Sequence, residues 1–265
     1  MNMFIHELKS ARKSILIWSL ALVGITVLFL SIFPSISRDA DEFKRLIEGY
    51  PEGVLKAVGL QINTITSFLG FYSYMFLYVM LCGAIQAMNL GAGIVAKETS
   101  GKTAEFLLTK PVTRLEILAA KWRAVLVSLV ITNIVFVAAA SFMANFVAVE
   151  GVDVTVFLLI SASNFIIQLV FAALGIFLAV VLKRIRSVLT LSLSTIMVFF
   201  VLSVFGSIVG EEGIRYVTPF KYFDYAYIAE HSAYEARFLV LGLVLVVMML
   251  SASFWLFSKK DIHSI

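Results

Sequence analysis

Six long stretches of the chain are apolar and free of interior charge: Ile15 to Phe33, Ile65 to Val95, Ala124 to Val147, Val154 to Leu182, Val188 to Val209 and Phe238 to Phe257. A helix crosses a bilayer with roughly 20 apolar residues, so each stretch is predicted to span a membrane. Several are longer than that, which predicts tilt, interfacial ends or a break near Gly83, Gly91 or Gly93. Ahead of the first stretch, Phe4, Ile5, Leu8, Ala11 and Ile15 recur at helical spacing, and residues 1–14 read as an amphipathic helix lying on the membrane surface. Polar sequence gathers in the segments 34–63, 96–121 and 210–236, in short connections at Glu150 to Asp153 and Lys183 to Ser187, and at the chain ends.

The first stretch follows Lys9, Arg12 and Lys13 and precedes Ser35-Ile36-Ser37, which imitates a signal peptide with a small-residue cleavage site. A cleavable apolar region runs about 7–15 residues. This one is longer and continues an amphipathic lead, so it is expected to be retained as a span.

Composition agrees. Of 265 residues, 61% are hydrophobic and 14% charged, against about a quarter charged in ordinary globular domains. The fold class expected is an all-α integral membrane protein with 1–265 as a single six-span domain. The lone cysteine, Cys82, excludes an intrachain disulfide and a paired-cysteine metal site.

Charge sets the orientation. With the N-terminus in the cytoplasm, 14 of the 21 Lys and Arg but only 5 of the 17 Asp and Glu fall on the cytoplasmic side. The positive-inside bias therefore predicts a multi-pass protein of the cell membrane with both termini cytoplasmic and with 34–63 and 210–236 as extracytoplasmic loops. The basic balance is matched to anionic lipid as a partner. No nucleic-acid-binding motif is present, and none is needed to explain the charge.

The segment Lys97 to Glu116 contains Gly101-Lys102-Thr103, which raises the question of a phosphate loop. A P-loop requires a glycine five positions before the second one, so that successive N–H groups can surround phosphates. That position holds Ala96, and no α/β domain follows. Local chemistry gives a different element. Gly101 ends a helix, Lys102 to Thr109 form a short one with Ala104, Leu107 and Leu108 on a common face, and Pro111 stops it. Thr113-x-x-Glu116 is a capping box that opens the next helix. Lys121 and Arg123 are expected to hold that helix at the inner surface.

The pattern Glu98, Gly101, Thr103, Glu105, Leu107, Leu108, Pro111, Val112, Thr113, Arg114, Ile117, Lys121 resembles the cytoplasmic segment between spans two and three of the ABC-2 type transporter permeases. Thr218-Pro219-Phe220-Lys221-Tyr222-Phe223-Asp224 is similar to another stretch of these proteins. The resemblance implies a six-helix, type V exporter-like bundle with no ATPase or cofactor of its own. It implies as partners an ABC-type ATP-binding subunit and a second permease chain, identical or related. Residues 96–121 would be the coupling segment, with Glu98, Glu105 and Arg114 supplying charge, Phe106, Leu107 and Leu108 an apolar anchor, Gly101 and Pro111 the bounds of a rigid lever, and Thr103 among the coupling residues.

Other classes find less in the residues. An intramembrane enzyme would need converging groups such as HExxH, yet His6, His231 and His263 lie apart at the membrane edges. A non-transporting membrane partner could carry the same sequence pattern. The polar residues within spans, Gln86, Asn89, Asn133, Asn145, Asn164 and Gln168, are read as interhelical hydrogen-bond partners more readily than as a substrate seam. The Tyr and Phe residues of 210–236 suit a broken helix in an aromatic belt. Tyr50-Pro51-Glu52-Gly53 reads as a turn.

Overall fold

The computed structural model describes residues 3–100, 113–148, 151–182, 184–210 and 212–259. Its helices in chain order are α1 (Met3–Arg38), α2 (Ala40–Glu48), α3 (Glu52–Ala57), α4 (Phe68–Ser100), α5 (Arg114–Val147), α6 (Val154–Val181), α7 (Val188–Val209), α8 (Glu212–Val217), α9 (Tyr225–His231) and α10 (Ala236–Lys259), with a 3-10 turn at Pro219–Lys221. Among the described residues, six helices, α1, α4, α5, α6, α7 and α10, are long and apolar enough to cross a membrane. The chain is an all-α, multi-pass membrane protein.

α6 lies at the centre. It packs along α4 over its length and is flanked by α10 and α5, while α1 lies against α5 and α4. In the most apolar window of each helix, 61% of α6 is buried but only 11% of α10. α7 and α10 thus form an outer layer, presenting Leu193, Val198, Val201, Val240, Val244 and Val247 outward. α1 buries a stripe at Ile15, Ser19, Leu22, Thr26, Leu30 and Phe33, the three- and four-residue spacing of one helix face.

Neither α1 nor α4 breaks where the sequence left room for it. Residues 3–14 contain no Gly or Pro, and the amphipathic lead runs into the first span as one helix of 36 residues, about 54 Å long. α4 passes through Gly83, Gly91 and Gly93 uninterrupted. Its glycines serve close approach to α6. A Cβ on Gly91 would lie 2.3 Å from the Ala172 carbonyl oxygen, and one on Gly175 would lie 2.6 Å from that of Met88. Small residues let two backbones meet where lipid supplies no hydrophobic drive for association.

The expected turn at 50–53 is half helix. Pro51 is the N-cap of α3, and Glu52 and Gly53 lie inside it. A proline there loses no needed N–H, and Glu52 pairs with Lys56 one turn on at 3.2 Å. Between Glu212 and His231 the chain forms the broken helix expected, in three short pieces.

Candidate functional site

Of the predicted coupling residues, Gly101, Thr103, Glu105, Phe106, Leu107, Leu108 and Pro111 lie outside the described residues. Glu98 falls in the last turn of α4 and Arg114 opens α5, with neither side chain among those described. The two ends of the segment are well defined. At its exit, Thr113 caps α5: the Glu116 N–H donates to Thr113 Oγ1 at 3.3 Å and the Thr113 N–H donates to Glu116 Oε2 at 2.8 Å. This is the capping box read from the sequence.

Behind that cap lies a buried ionic cluster. Lys121 is 1% exposed, which overturns its expected place at the inner surface beside Arg123. Arg123 is exposed and donates to the Ala119 carbonyl of its own helix. The Lys121 ammonium donates to the Ile94 carbonyl at 2.5 Å and lies 3.3 Å from Glu7 Oε1. The other carboxylate oxygen, Oε2, accepts from Lys97 at 2.5 Å. One carboxylate on α1 thus ties the last turns of α4, where the segment begins, to the second turn of α5, where it ends. The reason for burial is register: Ile117, Lys121 and Val125 share the face of α5 turned inward. An ammonium on that face needs a counter-charge and acceptors, because a bare charge in low dielectric is very costly.

Deeper in the bundle four of the six amides expected to pair do so. Asn164 Nδ2 donates to Asn133 Oδ1 at 3.0 Å, Asn133 Nδ2 donates to Gln168 Oε1, Gln168 Nε2 donates to Gln86 Oε1 at 3.3 Å, and Gln86 Nε2 donates to Thr132 Oγ1 at 3.1 Å. The chain joins α4, α5 and α6 with every donor running one way. Asn164 Oδ1 ends it with no hydrogen-bond partner among the described residues, facing Gly83, where a Cβ would come within 2.5 Å. Asn89 is half-buried and Asn145 exposed, so those two stand outside the chain.

At the opposite end from the capping box, a cavity of about 810 Å³ opens between α3, the start of α4, the end of α7 and the 212–230 segment. Thr218 fixes its wall by donating to the Phe199 carbonyl at 2.9 Å. Phe220 packs between Phe171 and Phe200, and Tyr222 stacks on Phe238. Asp224 caps α9 through the N–H groups of Ala226 and Tyr227. Glu235, just before α10, accepts from Arg215 and from Arg237, and both guanidiniums lie over the Phe238 ring.

Sequence reasoning placed the cap and the amides. It did not find Glu7 as the partner of Lys97 and Lys121, although a charge at a buried position of an otherwise amphipathic lead was the available signal. No group of three or more His, Cys, Asp or Glu able to hold a metal occurs among the described residues.

No curated protein matches the chain. A family model described as ABC-2 family transporter protein matches residues 1–262, nearly the whole length. With six long apolar helices among the described residues, the chain belongs to the ABC-2 transporter family as one of its transmembrane components.

Proposed function

We propose that this chain is the permease subunit of an ATP-binding-cassette exporter of the cell membrane, and that residues 96–121 couple it to a separate ATP-binding subunit. ABC-2 permeases work with such subunits. The observation that carries the reading is the Glu7 carboxylate tied at once to Lys97 and Lys121, one at each end of the segment. A push on that segment is then received by α1, α4 and α5 together, because the three helices share one charge cluster at its base. From there α4 and α5 lead to α6, which touches both. Rigid helices joined at such a cluster can move as a body, the usual form of a lever in domain switching.

On this reading the cytoplasm holds both termini, and a second copy or a related chain completes the translocation path. Glu98, Glu105 and Arg114 supply the charges for docking, and Phe106, Leu107 and Leu108 the apolar anchor. The test is co-purification with an ATP-binding subunit, followed by ATPase and transport assays in vesicles. Reversing charge at Glu105 together with Leu108→Gln is expected to leave ATP hydrolysis in the complex and abolish transport. Full transport by that double variant sinks the coupling assignment. Failure of the parent chain to associate with any ATP-binding subunit favours a non-transporting membrane partner instead.

A further inference from the structure

The 218–224 stretch builds one wall of the cavity with a particular division of labour. Tyr222 is buried against Phe238, and Phe220 and Phe223 are anchored in aromatic contacts with Phe171, Phe200 and Tyr234. Lys221, between them, is turned to the cavity, where its ammonium donates to Ser207 Oγ of α7. Ser207 in turn donates to the Ser203 carbonyl at 3.0 Å, so the hydroxyl is oriented to accept. An ammonium carries three donors and this contact uses one. No carboxylate lies at ion-pair distance from Lys221 among the described residues. The nearby Asp224 accepts two N–H bonds at the start of α9, and Arg215 is committed to Glu235 and to the Lys221 carbonyl. Glu212 and Glu230, which also border the cavity, are exposed. Burial pushes the Lys221 ammonium below its ordinary range, with Arg215 acting the same way and Asp224 against them.

The remaining wall is amphipathic. Leu69, Leu77, Met80, Ile160 and Val204 give an apolar floor and side, while Ser67, Ser73 and Ser203 add hydroxyls. Tyr225 closes the bottom, its hydroxyl donating to Met80 Sδ at 3.2 Å. At about 810 Å³ the cavity is in the size range of small-molecule sites. A partly desolvated cation, apolar walls and placement at the helix ends select one kind of occupant.

We propose that this cavity binds an amphiphile with an anionic headgroup, phosphate or carboxylate, whose charge is held by Lys221 and Ser207 and whose apolar part lies on Leu69, Leu77 and Met80. The ligand can come from the surrounding leaflet or be the transported molecule itself, and the headgroup chemistry is the same. Coupling to ATP has no part in it, so the test reads binding alone.

The experiment places the full chain in phosphatidylcholine nanodiscs and measures binding of lysophosphatidic acid by microscale thermophoresis. Lysophosphatidylcholine of equal chain length and inorganic phosphate are the comparators. Saturable binding of lysophosphatidic acid above that of empty discs is expected, with lysophosphatidylcholine giving none. Lys221→Gln should weaken binding about tenfold or more, and Lys221→Arg should retain it, which separates loss of charge from loss of fold. Arg45→Gln, a cation of α2 outside the cavity, should bind as the parent does. Equal binding by the parent and Lys221→Gln overturns the proposal. Inorganic phosphate binding as tightly as lysophosphatidic acid also overturns it, since the apolar wall would then contribute nothing. If the bound amphiphile is also moved in a transport assay it is cargo; if it binds and stays, it is a lipid of the leaflet.

Discussion

Glu7 and Glu235 are each a carboxylate held between two cations, yet they are built for different ends. Glu7 takes lysines 90 and 114 residues away and sits in the seam of three helices. Glu235 takes arginines 20 and 2 residues away, at the head of α10. A guanidinium is a planar fork that stacks on aromatic rings, and both forks here lie on Phe238, at 4.2 and 4.8 Å from its centre. That pair staples a local turn. An ammonium is a compact point charge on a flexible stem, with no fixed angle of approach. Lysines therefore join helices that can shift slightly against one another without losing the contact, which is what the relay proposed for residues 96–121 requires.

The largest break in this comparison should come from Glu7→Gln. It removes the charge facing Lys121 while leaving that ammonium 1% exposed, and loss of one partner of a buried pair costs about 3–5 kcal/mol. The purified protein is expected to melt markedly lower in detergent. Glu7→Gln with Lys121→Met should recover much of the loss, since a methionine needs no counter-charge. If the single variant melts as the parent does, the cluster contributes nothing to the fold.

Lys121→Arg sharpens the contrast between the two cations. It keeps the charge but brings a larger, planar group into a space with no exposure to spare, and overpacking of this kind costs about 1–3 kcal/mol. Lys97→Arg, at a side chain 45% exposed, should be near neutral. A melting temperature equal for both variants would show that the buried seam accommodates a fork as readily as an ammonium, and the distinction would fall.

What could be read beforehand follows the same division between local and distant. The apolar runs located the six long helices because each span satisfies its backbone within itself, so composition alone marks it. The Thr113 and Glu116 cap was legible because its partners are three residues apart. Helix ends were less so: α1 continues to Arg38 and α4 to Ser100, past the apolar runs, since hydropathy records lipid contact and a helix can continue into polar surroundings. Glycines in α4 looked like breaks because nothing local reveals that Ala172 of α6 lies against Gly91. Glu7 was missed for the same reason. Its partners are fixed only when α4 and α5 are packed on α1, and no spacing within one helix encodes that.

Arg215→Lys should cost about 1 kcal/mol, the scale of an aromatic stacking contact and one charged hydrogen bond at a partly exposed site. Its effect should be confined to the 212–236 segment, visible as faster amide exchange there with little change in α1, α4 or α5. Spread of the change to those helices would mean that the Arg cluster also transmits across the bundle.

The smallest effect belongs to pH at Glu235. Burial pushes this carboxyl up, but hydrogen bonds from Arg215 and Arg237 and their charges outweigh it and hold the group below its ordinary value of 4.5. A group depressed in the folded state binds its proton more readily when unfolded, so its contribution is present above that ordinary value and disappears as pH falls through the folded one. Loss of roughly 1 kcal/mol or less is expected as pH falls below that ordinary value of 4.5, read as the difference in melting temperature between the parent and Glu235→Gln. The two should differ at neutral pH and converge in acid. A difference that stays constant across the range would mean that the Arg side chains are held by Phe238 rather than by the carboxylate, and the staple would then be aromatic rather than ionic.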